Sequence, residues 1–177
     1  MAALLALAGC GQESTQNPAQ PYSNDHTVQE LCDFPKQFFL EHYDLSELVA
    51  KSARSKPIDS AIGDSAKCVY DNPSASIPNF GYALLSPETD SSKAVPAGAR
   101  TRDLAIDGVT VTEIELPLDG SQDPNTADRV YILRATIDGW EGNISFKGGD
   151  QEARRAGAPV LVKMIQALKG SPISSTS

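Results

Sequence analysis

The stretch RVYILRATIDGWEGNISFKGG, residues 129–149, restricts the fold of this chain more than any other. Two β-rich runs flank Asp138-Gly139, the signature of a two-residue type I′ turn, because both central positions of that turn need positive φ. Tyr131, Leu133, Ala135 and Ile137 share one face of the first strand; Trp140, Ile144 and Phe146 share one face of the second. This period of two predicts an antiparallel hairpin with one buried face, which something else must cover.

The cover is predicted to be helical. After Asp150, a candidate N-cap, the residues Ala153, Ala156, Val160, Leu161, Met164, Ile165 and Leu168 recur at three- and four-residue steps up to Gly170, with Pro159 as a kink or a second start. Near the other end, Thr27-Val28-Gln29-Glu30 has the form of a capping box. Phe34, Phe38, Phe39, Tyr43, Leu45 and Leu48 follow at mixed helical spacing, and Pro35 is expected to limit the first turn or open a second helix. Between the helices, KCVYDN (67–72), FGYALLS (80–86) and GVTVTEIELP (108–117) have strand character, the last with a phase shift near Glu113 that suggests a bulge. The fold class expected is α+β: an antiparallel β-meander sheet packed against N-terminal and C-terminal helices, with one disulfide.

The disulfide follows from cysteine usage. Cys32 and Cys68 lie within the expected domain, where oxidising surroundings would close a loop of 36 residues and stabilise it by about 4 kcal/mol. The alternative is two reduced core thiols. Cys10 is left over, and it ends the apolar run AALLALAG. Leu7-Ala8-Gly9-Cys10 resembles the lipobox of bacterial lipoproteins, and that resemblance implies cleavage before Cys10 and acylation of its sulfur. No positive residue precedes the run, so the leader is expected to be truncated, with the precursor starting further upstream. It is too short to span a bilayer, and the competing reading is a frayed apolar terminus with a free thiol.

The expected organisation is therefore a signal peptide over 1–9, the lipidated Cys10 and a polar tether over 10–26, one α+β domain over 27–170, and a disordered tail over 171–177. A formal net charge of −8 among 177 residues, with no basic cluster, argues against a nucleic-acid partner. The lipobox cysteine, the polar linker, "LCDF" at the first helix, "KCVY" on the first strand and the closing amphipathic helix together resemble the actinobacterial lipoproteins of the DUF3558 type, a domain of unknown function. Tyr70 stands where that family more often has tryptophan. The resemblance implies fold and place, the outer face of the cytoplasmic membrane, and lends no chemistry.

Chemistry is sparse in the sequence. His26 falls in the tether and His42 beside charged residues on a helix, so both are expected at the surface rather than in a catalytic triad. Glu113 and Glu115 share a strand face and could place two carboxylates together, but alternation on a half-exposed sheet accounts for them equally. Asp119-Gly120 with Asp123 lacks the remaining calcium ligands. Gly148-Gly149 before Asp150 is a turn rather than an anion cradle, and the sequon Asn143-Ile144-Ser145 lies inside a strand. No catalytic, metal or cofactor site is assigned. The functional expectation is a non-enzymatic, lipid-anchored envelope protein, either an accessory subunit of a membrane protein complex or a carrier of an apolar ligand. The alternative is an envelope hydrolase with an acidic site drawn from Glu113, Glu115 and Asp119.

Overall fold

In the computed structural model, which describes residues 22–43, 47–53, 56–73, 77–89, 94–118, 129–148 and 151–172, the hairpin forms as its turn requires. Strands β7 (Val130–Ile137) and β8 (Trp140–Lys147) pair from Val130↔Lys147 to Ile137↔Trp140. Asp138 and Gly139 take φ of 50° and 77°. A second Asp-Gly turn, Asp107-Gly108 with φ of 49° and 81°, joins β5 (Arg100–Ile106) to β6 (Val109–Glu115). On the other side lie β2 (Val49–Ser52), β3 (Ala66–Asn72) and β4 (Ile77–Pro87). All join one seven-stranded antiparallel sheet in the order β2-β3-β4-β8-β7-β6-β5, so the two meanders meet where β4 pairs with β8.

Two helices, α1 (Val28–His42) and α2 (Gln151–Leu168), cover one face of this sheet. The expected capping box starts α1: the Thr27 backbone N–H donates to Glu30 Oε2 at 2.6 Å, and the Glu30 N–H donates to Thr27 Oγ1 at 3.2 Å. Pro35 neither stops this helix nor opens another. It lies inside a continuous α1, buried with Val28, Leu31, Cys32, Phe38 and Phe39, and their shared burial offsets the lost backbone bond. Pro159 likewise lies inside a single α2. The expected N-cap Asp150 lies outside the described residues.

The core fills the space between sheet and helices. Phe39 meets Tyr70, Phe80 and Phe146 edge-on with ring centroids 5.1–6.2 Å apart, and Trp140, Leu133, Ile144, Leu161, Met164 and Ile165 are fully buried. Such edge-to-face pairs add to the stabilisation from burial alone. Helix α2 lies close enough to β8 that a Cβ on Gly142 would come within 2.4 Å of Ile165 Cγ1; only glycine lets the two elements meet there. Cys32 and Cys68 are disulfide-bonded with Cα atoms 5.3 Å apart, and the Tyr70 hydroxyl donates to the Cys32 carbonyl at 2.7 Å. Helix α1 is thereby fastened to β3 covalently and through a buried hydrogen bond.

Three details differ from expectation. No bulge occurs at Glu113, since β5 and β6 pair in unbroken register; the apolar pattern shifts because Glu113 is buried on one face and Ile114 on the other. The irregularity falls instead between β3 and β4, at Tyr70/Asn72. Finally, Tyr22–Ser23 (β1) and Ser171–Pro172 (β9), expected in tether and tail, pair antiparallel. Tyr22 is the aromatic residue of that polar stretch, and its ring packs edge-on against Trp140 with centroids 5.5 Å apart.

Candidate functional site

The opposite face of the sheet carries apolar residues such as Ile114 on β6 and a row of polar residues on β8. Trp140, Gly142, Ile144 and Phe146 of β8 point to the helices, so Glu141, Asn143 and Ser145 point away from them. Although they lie on the outer face, these three are only 3–4% exposed. Burial of that kind demands partners, and they are present. Asn143 Nδ2 donates to Glu141 Oε1 at 2.8 Å, while Arg134 Nε donates to Asn143 Oδ1 at 3.2 Å and lies 3.9 Å from Glu141 Oε1. Arg134 NH1 also donates to the Ala94 carbonyl at 3.3 Å.

Tyr82 of β4 is the register partner of Ser145. Burial pushes its hydroxyl above the ordinary tyrosine range; a hydrogen bond with Ser145 and the Arg134 charge oppose that shift, and the Glu141 charge adds to it. One hydroxyl therefore senses the Arg134–Glu141 pair and the Ser145 side chain together.

Beside this network the sheet opens. Strands β6 and β7 pair only from Glu115↔Tyr131 to Thr112↔Arg134, while their outer neighbours β5 and β8 keep pairing to both hairpin turns. The two hairpins thus diverge, leaving a notch of about 560 Å³ lined by Thr110, Thr112, Arg134, Thr136 and Asp138 among others. Glu141 is the register partner of Thr136 and so lies one strand in from it. Hydroxyls, a guanidinium and a carboxylate around such a space suit a hydroxyl-rich ligand.

The residues singled out in the sequence lie elsewhere. Glu113 and Glu115 do share a strand face, but it is the helix-covered one, and arginines engage both. Glu113 Oε2 lies 2.9 Å from Arg102 NH2 and 3.6 Å from Arg154 Nε; Glu115 Oε1 lies 2.6 Å from Arg129 NH1 and 3.8 Å from Arg100 NH1. The Arg154 guanidinium also sits 4.2 Å over the Tyr131 ring, so Glu113 joins α2 to the sheet rather than facing a substrate. Asp119, Gly120, Asp123, Gly149 and Cys10 lie outside the described residues. His42 is exposed, and His26 is half-buried beside Glu30 at 3.4 Å. Asn143 of the sequon is buried in the network above.

Sequence reasoning did not single out Glu141, and it read Asn143 and Ser145 only as a sequon inside a strand. Their alternation with Trp140, Ile144 and Phe146 was visible and placed them on the polar face, but nothing local marks that face as buried. Among the described residues, no three His, Cys, Asp or Glu side chains gather as a metal site, and no helix is long and apolar enough to cross a membrane.

No known protein family matches the chain, and no solved structure does. Part of it is similar to an endo-polygalacturonase of Sclerotinia sclerotiorum, 29% identical over 115 residues, or 64% of this chain and 28% of that protein. The chain thus matches little more than a quarter of that relative's length. The similarity is to a hydrolase, and it overturns the expectation of a non-enzymatic binding or accessory role. The space between sheet and helices is filled by fully buried Trp140, Phe39, Phe146 and Met164.

Proposed function

We propose that this chain is a cell-envelope hydrolase acting on an acidic glycan, with Glu141 as its acid–base residue. The observation that carries the assignment is the position of Glu141: a carboxylate only 3% exposed, held by Asn143 and flanked by Arg134, one strand from a hydroxyl-lined notch. The partial similarity to an endo-polygalacturonase supports the reaction class and a sugar-acid substrate. Hydrolysis of a glycosidic bond needs a proton for the leaving oxygen and a second group to activate water or attack the sugar. Glu141 supplies the first. Asp138 at the mouth of the notch is the carboxylate that lines it, and its ion pair with Lys169 of the segment after α2 orients it.

The resemblance of residues 7–10 to a lipobox, and of the cysteine and strand pattern to the DUF3558 lipoproteins, supports placement on the outer face of the membrane by lipid on Cys10. An anchored hydrolase would act on glycans within reach of its tether. The deciding experiment measures reducing ends released from polygalacturonate and from peptidoglycan glycan strands. The intact chain is expected to release them from at least one of the two, and Glu141→Gln to lower the rate by about 100-fold or more, the usual contribution of acid–base catalysis, at a temperature where circular dichroism shows the variant folded. No release from either glycan, or equal rates in the variant, overturns the assignment.

A further inference from the structure

A second cleft opens on the same outer face, four residues further along β8. It encloses about 260 Å³, and its walls combine Lys67 of β3, Tyr82 of β4, and Ser145 and Lys147 of β8 with apolar groups that include Val69, Phe80 and Val130. Lys67 Nζ sits 3.9 Å from the centre of the Tyr82 ring, and Tyr82 hydrogen-bonds Ser145, which is 3% exposed. No carboxylate lies in ion-pair reach of either lysine among the described residues; they share this with Lys36, Lys56, Arg155 and Lys163, but of these six only Lys67 and Lys147 line this cleft. On a chain of net charge −8, two cations facing one cleft with no carboxylate partner among the described residues are a local reversal of sign. Such a reversal focuses an anion there.

We infer that this cleft is a carboxylate subsite that holds one sugar-acid unit of a glycan, with Lys67 and Lys147 on the carboxylate and the Tyr82 and Ser145 hydroxyls on the sugar. The register gives the subsite its place in the site described above. Ser145 lies about 13 Å along the strand from Glu141 at the ordinary strand rise, on the same face. A glycan lying along β8 would therefore be held by its charge at one end and meet Glu141 at the other.

This inference rests on the glycan reading of the face, and its test uses binding rather than turnover so that the two can fail separately. The probe is a trigalacturonate, titrated calorimetrically into the intact chain. Expected results are saturable binding that weakens at least tenfold in Lys67→Ala/Lys147→Ala and weakens with added salt. The charge-conserving Lys67→Arg/Lys147→Arg should keep affinity within about threefold, and the neutral trigalactose should bind at least tenfold more weakly. Unaltered affinity in the alanine variant, equal affinity for the neutral sugar, or equal affinity for a triglutamate peptide would each overturn it. Binding that follows this pattern without any release of reducing ends upholds the subsite while removing the hydrolase assignment.

Discussion

Tyr70 shows how much one buried hydroxyl can carry. It is fully buried and donates to the Cys32 carbonyl, and burial, with the nearby Asp33 charge, pushes it well above the ordinary tyrosine range. In the unfolded chain the same hydroxyl ionises near pH 10. Above that pH the unfolded state holds fewer protons than the folded one, so stability falls as pH rises; below it the contribution is complete and constant. Urea unfolding should show Tyr70→Phe less stable by about 0.5–1.5 kcal/mol at pH 7 and less steeply destabilised than the parent above pH 10. Parallel stability curves for the two proteins would contradict this. Residue identity alone does not separate Glu113 from Glu141. Both are strand glutamates next to apolar neighbours, and their different environments come from arginines brought by other strands and by α2.

At the scale of elements, local chemistry goes further. The capping box at Thr27 and Glu30 was legible because its hydrogen bonds close within three residues. Hydrogen bonding to the Thr27 backbone, more than to its side chain or to His26, holds the Glu30 carboxyl below its ordinary value. Its contribution to α1 is therefore complete above the unfolded carboxyl pKa and is lost as pH falls through the lowered one. Thr27→Ala should cost about 1 kcal/mol of stability, measurable as a shift in the urea midpoint at unchanged slope. The Asp138-Gly139 turn was equally legible, and Asp107-Gly108 carries the same signal, although β5 alternates too weakly to suggest a strand by itself. The divergence of β6 from β7 was not legible. It arises because two regular hairpins, each satisfied within itself, share only four register pairs.

For the whole molecule, the pairing of β1 with β9 brings Tyr22 and Ser23 to the Trp140 end of the sheet. Asn24 Nδ2 reinforces the junction by donating to the Leu168 carbonyl at 2.8 Å. If lipid on Cys10 holds the chain, Cys10→Ala should move it from the membrane fraction to the soluble fraction of cells without altering its melting temperature. Each buried methylene contributes about 0.8 kcal/mol, so two acyl chains make that difference nearly all-or-none. Retention of the variant on membranes would rule the anchor out. The sequence by itself determined the hairpin, the helix cap, the inward faces of β7, β8 and α2, and the pairing of Cys32 with Cys68 once Cys10 was set aside. These rest on turn geometry, on periods of two and three to four residues, and on counting, all of which act within a short span of chain. Tertiary structure decided that α1 runs through Pro35, that β4 meets β8, that Glu113 is clasped by arginines, and that Glu141, Asn143 and Ser145 are buried on an outer face. Those outcomes depend on which distant segments share a surface, and no local period encodes the environment that a neighbour brings.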